Sequence, residues 1–234
     1  TCWPEALDAE APRYEIEEGK HPLLPADRAV GNTLALGQDD KARLLIVTGS
    51  NMAGKSTFLK MSGLSLLLAQ TGAPVPARAM RWTPLAVDSD INVRDSLDDG
   101  RSYFAVEVDR VLEIIQLAST DAFRLALIDE IFRGTNTREK VAAGVEVARQ
   151  LATGQSLAIL ATHDMEFTQL EADIEGGTVR NAHFSDDIRN GSMAFDYRLE
   201  PGPARGSNAI RVLAHAGYPE DLVRRALERS ERSD

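Results

Sequence analysis

Apolar residues along this chain gather into short unbroken runs, and between those runs they recur every third or fourth position. Leu44-Leu45-Ile46-Val47-Thr48 is one such run, and Phe58 to Gln70 behind it carries apolar side chains at helical spacing. Phe123 to Ile128 and Ser156 to Thr162 are two further runs. Ala105 to Ala118, with Val106, Val108, Val111, Leu112 and Ile115, repeats the helical spacing, as does Thr137 to Thr153. A continuous apolar run suits a parallel strand buried on both faces. Strands of that kind alternating with helices predict an α/β fold, a mostly parallel sheet flanked by helices. Met80 to Asn92 reads as strand material feeding the polar loop Arg94 to Gly100, after the turn-rich Thr71 to Pro76. Segments near Thr178–Phe184 and Met193–Leu199 predict a hairpin joined at Asn190-Gly191.

The two ends have a different character. Residues 1–42 are rich in Pro, Glu and Asp and read as irregular or partly β. Beyond Pro201-Gly202-Pro203, Ser207 to Ala216 and Pro219 to Arg229 predict two short helices joined at Gly217-Tyr218. A helical hairpin of that size suits packing or dimer formation better than base reading, because neither helix is rich in base-contacting side chains. The chain therefore divides into an N-terminal segment (1–42), a principal domain (43–200) and a small C-terminal helical element (201–234).

The junction between the first run and its helix reads Gly49-Ser50-Asn51-Met52-Ala53-Gly54-Lys55-Ser56-Thr57. It fills every fixed position of the phosphate-loop pattern G-x-x-x-x-G-K-S/T. Glycine-rich turns that bind nothing are common, but a strand before this one and a helix after it supply the context that makes it a nucleotide site. Glycines let backbone N–H groups approach phosphate oxygens, and the helix N-terminus adds about half a positive charge there. Lys55 is placed to reach β- and γ-phosphates, and Ser56 to set its hydroxyl on Mg²⁺. The run from Phe123 ends in Asp129-Glu130. Asp129 suits Mg²⁺, directly or through water, and Glu130 suits orienting or deprotonating an attacking water. The third run ends at His163-Asp164. An imidazole at that strand edge can donate to a γ-phosphate oxygen and report which nucleotide is bound. His21, His183 and His215 share no metal-ligand spacing with it.

Composition narrows the remaining choices. A chain of 234 residues, 43% of them hydrophobic, fits one α/β domain plus a small appendage. No apolar run approaches the roughly 18 residues of a membrane span, so no membrane association is indicated and a cytoplasmic location is expected. Cys2 is the single cysteine and allows no internal disulfide. The start at Thr1, without Met or a signal-type segment, reads as a piece of a longer chain. A net charge of −10 argues against a generally basic nucleic-acid surface, so any DNA contact is expected through regions outside these residues. Arg205, Arg211, Arg224, Arg225 and Arg229 cluster in the tail and fit a solvated helix face.

Taken together, these motifs resemble the ATPase domain of the MutS mismatch-repair family. The resemblance is carried by Gly49 to Thr57, by Asp129-Glu130-Ile131-Phe132-Arg133-Gly134-Thr135-Asn136-Thr137, and by Ala161-Thr162-His163-Asp164. Asp98 to Glu107, the early Lys20-His21-Pro22 and the tail segment Ser207 to Arg225 add to it, so most of the chain is covered in order. It implies a P-loop NTPase of ABC type that binds ATP with Mg²⁺ and works as a homodimer with composite nucleotide sites. By the same resemblance Ser102 acts as a signature serine closing on the partner subunit's γ-phosphate. Asp129 serves Mg²⁺, Glu130 activates water and His163 senses the γ-phosphate. Asn51 makes a nucleotide contact special to the family, and Asn136 lies in a loop crossing the dimer interface.

Several positions depart from the family pattern. Ser50 stands in place of a proline, Ala53 of a glycine, and Phe132 of the glycine that usually follows Glu-Ile. The aromatic residue expected shortly before Asn32 to stack on adenine is absent, with Arg28 and Val30 in that neighbourhood. These departures point to a divergent member without mismatch-reading or clamp regions in these residues. Three functions follow as expectations: the ATPase motor of a repair protein, the same motor turned to a non-repair and even membrane-tethered task, or a nucleotide-gated dimerisation module. Glu130 disfavours the last, because it provides a water-activating carboxylate.

Overall fold

The computed structural model describes residues 1–234 apart from 9, 38–40, 51, 92–102, 121, 133–136, 190–191, 205–212, 215–216 and 231–234. Among the described residues, strands build two sheets. The larger takes β4 (Leu44–Thr48), β6 (Ala86–Asp90), β7 (Arg124–Asp129), β8 (Leu157–Ala161), β9 (Val179–Arg189) and β10 (Ser192–Pro201). Its spatial order is β10-β9-β4-β8-β7-β6, and every neighbouring pair is parallel except the β9–β10 hairpin. Between these strands run α1 (Lys55–Gln70), α2 (Tyr103–Ala118), α3 (Thr137–Thr153) and the single turn α4 (Leu170–Asp173).

Alternation along the strands explains how the sheet is covered. Leu45, Val47, Leu125, Leu127, Leu157 and Ile159 face one side and pack with Phe58, Leu59 and Leu66 of α1. Leu44, Ile46, Ala126, Ile128, Ala158 and Leu160 face the other, against Ile114 of α2 and Ala148, Leu151 and Ala152 of α3. Both faces are closed, which is why these strands read as unbroken apolar runs. Fully burying a side chain of this kind contributes roughly 1.5–3 kcal/mol. At the open edge, Arg124 on β7 grips Asp88 on β6 through two hydrogen bonds of 2.6 and 3.0 Å, and the Asp88 bond and charge raise the already high Arg124 pKa.

The N-terminal segment is more ordered than its composition suggests. β1 (Glu5–Ala6), β2 (Arg13–Gly19) and β3 (Asn32–Gly37) join β5 (Ala79–Trp82) in a second sheet of order β1-β5-β2-β3. The stretch Met80 to Asn92 thus splits between two sheets: β5 pairs with β2, and β6 with β7. Tyr14 ties this small sheet to α1 by donating its hydroxyl to the Ser62 carbonyl at 2.9 Å, and burial pushes its phenol pKa well up. The predicted hairpin of β9 and β10 is present, with Ser192 opposite Arg189. In the tail, α5 (Glu220–Ser230) matches the second predicted helix, whereas nearly all of Ser207–Ala216 lies outside the described residues. No helix among the described residues is long and apolar enough to cross a membrane.

Candidate functional site

β4, β8 and β7 are neighbours and parallel, so their C-terminal ends open on one edge of the sheet. From β4 the chain enters the predicted phosphate loop. Gly49 has φ 132°, and a Cβ there would lie 2.6 Å from the Phe184 carbonyl oxygen, so only glycine fits. Gly54, at φ 111°, makes the turn into α1 without any side-chain cap, leaving the helix N-terminus open toward the loop. Lys55 is buried and donates its ammonium to the carbonyls of Gly49 at 2.6 Å and Ser50 at 3.0 Å. Ala53 is buried inside the loop and Met52 exposed on its crest, while Thr57 is exposed on the first turn of α1. Ser50 buries its hydroxyl oxygen without a hydrogen-bond partner among the described residues.

The acidic strand end meets this loop directly. Ser56 donates its hydroxyl to Asp129 Oδ2 at 2.5 Å, joining the start of α1 to the end of β7. Glu130 follows at φ 64°, a left-handed backbone that turns its carboxylate away from the strand direction. Its N–H donates to the Ala161 carbonyl at 2.8 Å, which anchors the turn on β8. Glu130 Oε1 lies 2.7 Å from Nδ1 of His163, so the two side chains named from separate runs meet. Phe132, where the resemblance leads one to expect glycine, is also left-handed at φ 59°. Its ring meets the edge of Phe104 at a centroid distance of 6.1 Å, linking the turn to the first residues of α2.

Beside the phosphate loop opens a cavity of about 310 Å³, lined by His21, Arg28, Asn32, Gly54, Phe58 and Tyr197 among others. Burial, and secondarily the Lys60 charge, pushes the His21 pKa down. No motif along the sequence points to Tyr197. It sits where the β9–β10 register slips between Phe195 and Leu199, at φ 55°, with its ring 3.3 Å from where a Cβ on Gly54 would be. Asn32 holds this bulge from across the cavity: its Nδ2 donates to the Tyr197 carbonyl at 3.0 Å, and its Oδ1 accepts from the Leu199 N–H at 2.8 Å. The only sequence signal was an aromatic in a strand predicted to form a hairpin. Asn51, Ser102 and Asn136 lie outside the described residues.

A mostly parallel sheet whose first strand runs through a phosphate loop into a helix, with an acidic strand end against the helix start, defines the class of P-loop nucleotide-binding folds. Residues 45–233 match the family model described as MutS domain V, and the chain belongs to the MutS family. It is 40% identical over 219 residues to the DNA mismatch repair protein MutS of Nitratidesulfovibrio vulgaris strain DP4, and likewise to that of strain Hildenborough. Those matches take in 91% of this chain and 24% of each relative, so the chain spans about a quarter of the curated relatives' length.

Proposed function

We propose that this chain is the ATP-hydrolysing motor of a MutS-like protein, coupling nucleotide-dependent closure of a dimer to action on DNA held by other regions. The observation that carries this reading is the 2.5 Å contact between Ser56 and Asp129, because it joins the two halves of a phosphate-loop site. Two hard oxygen donors side by side fit Mg²⁺ better than a soft metal. When bound, Mg²⁺ supplies neutralisation of charge on the β- and γ-phosphate oxygens. Lys55 and the loop N–H groups from Gly49 to Thr57 bind and orient the triphosphate, and Asn51 adds a contact to the nucleotide. Tyr197 provides one wall for the base, in place of the aromatic absent before Asn32.

Glu130 takes the proton of the attacking water in this reading, and His163, which holds one Glu130 oxygen, senses the γ-phosphate through that contact. Ser102 closes the site from the partner subunit, making ATP part of a homodimer interface. The test is Glu130→Gln. ATP binding by calorimetry is expected to persist while single-turnover hydrolysis falls by roughly 10²-fold or more, and sedimentation with ATP should then show a dimer. Unchanged hydrolysis removes Glu130 as the base. A wild-type monomer with full hydrolytic activity at every protein concentration refutes the dimer mechanism.

A further inference from the structure

One pair of charges beside the site is used by none of the roles above. Lys140, on the first turns of α3, is 7% exposed and places its ammonium 2.8 Å from Asp164 Oδ2. Both side chains are about nine-tenths buried, at 9% and 10% exposure. The other Asp164 oxygen, Oδ1, lies 3.5 Å from Nε2 of His163, while Nδ1 of the same ring meets Glu130 at 2.7 Å. Asp164 is itself held, because its N–H donates to the hydroxyl of the buried Thr162 at 3.0 Å. A continuous line of side chains therefore runs from α3 through Asp164 and His163 to Glu130.

Stability alone is a poor account of that pair. An apolar pair of similar volume commonly serves a buried position as well as an ion pair does, because desolvating two charges offsets most of their attraction. What an ion pair adds is direction. A carboxylate accepts only, so each contact that holds the ring has the ring nitrogen as donor, Nδ1 toward Glu130 at 2.7 Å and Nε2 toward Asp164 at 3.5 Å. His163 is 49% exposed, so packing alone does not fix its ring. We infer that the Lys140–Asp164 pair positions His163, holding its imidazole between two carboxylates so that Glu130 keeps one orientation. The inference rests on the roles proposed above for Glu130 and His163, and it adds Asp164 and Lys140 as positioning residues acting through them.

Removing one partner would strand a buried charge, so the decisive variant of the whole chain is Lys140→Gln/Asp164→Asn, a neutral pair able to hydrogen-bond in the same place. Imidazole NMR reads the positioning without relying on catalysis. A slowly exchanging Nδ1–H signal, absent from His163→Asn, is expected in the native chain and lost in the double variant. Turnover should fall about tenfold or more, as for groups that orient a ligand from behind, with KM for ATP within about twofold. Lys140→Arg, which keeps the pair, should retain both signal and turnover. A double variant that melts near the native temperature and keeps the Nδ1–H signal overturns the inference, whatever its turnover. Loss of the signal with turnover unchanged supports the positioning and instead removes His163 and Glu130 from hydrolysis, a failure that Glu130→Gln measured in parallel would show separately.

Discussion

Phe132 occupies the left-handed region at φ 59°, and this reverses the usual ranking of alanine and glycine. A side chain in that conformation costs about 1–2 kcal/mol. Phe132→Ala keeps that cost and loses the edge contact with Phe104 at 6.1 Å, about 0.5–1.5 kcal/mol. It also loses the half-buried ring's packing against the core beneath α2 and α3, about 0.8–1.5 kcal/mol, half the value for full burial. Alanine should therefore destabilise by about 1.5–3 kcal/mol. Phe132→Gly loses the same contacts and gives the unfolded chain more freedom, about 0.5–1 kcal/mol, but it releases the backbone strain. Glycine should then be the more stable of the two by about 0.5–1 kcal/mol. Urea unfolding followed by far-UV circular dichroism measures this as a midpoint about 0.2–0.5 M higher for glycine, given slopes of about 2–3 kcal/mol/M. A glycine midpoint at or below that of alanine refutes the strain account of this turn.

Two further outcomes bear on the nucleotide. Ser50→Ala removes a buried hydroxyl without a partner among the described residues, so the nucleotide-free chain should melt no lower, and up to about 1 kcal/mol more stably. If that hydroxyl meets a phosphate, calorimetry should show ATP affinity down about tenfold or more in the same variant; equal affinity removes Ser50 from the binding set. Tyr197→Ala should weaken ATP about tenfold, the scale of one base–aromatic stack, while leaving tripolyphosphate binding unchanged. Equal losses for both ligands would mean that Tyr197 supports the loop and not the base.

The elements of the larger sheet and the helices packed on it were legible from sequence. α3 spans Thr137–Thr153 as predicted, and the three apolar runs became β4, β7 and β8. Each carries its own periodic signal, and the chemistry at each strand end follows from the residue type there. The second sheet was not legible, because β2 finds its partners in β3 and β5 across long loops and its Glu-rich outer face breaks the apolar run. Tyr197 escaped for a related reason. The aromatic expected near Asn32 along the chain is absent, whereas a bulge in β10 brings the Tyr197 ring to the cavity from far downstream and Asn32 clasps it. The Lys140–Asp164 contact joins a helix to a strand end, and no local pattern announces such a meeting.

Val47 of β4, Ala161 of β8 and Asp129 of β7 stand in one row across the sheet. Adjacent strands lie about 4.8 Å apart, so this row is a ruler of about 10 Å whose graduations are hydrogen bonds. Spacing among the phosphate loop, the carboxylates and the histidine is thus gauged by the ladder and not by the lengths of the connecting segments. Insertions between β8 and β9, or before β7, leave the gauge untouched. A single-residue slip of β7 against β8 brings Ile128 into the row, turns Asp129 to the opposite face, and pulls its carboxylate off Ser56.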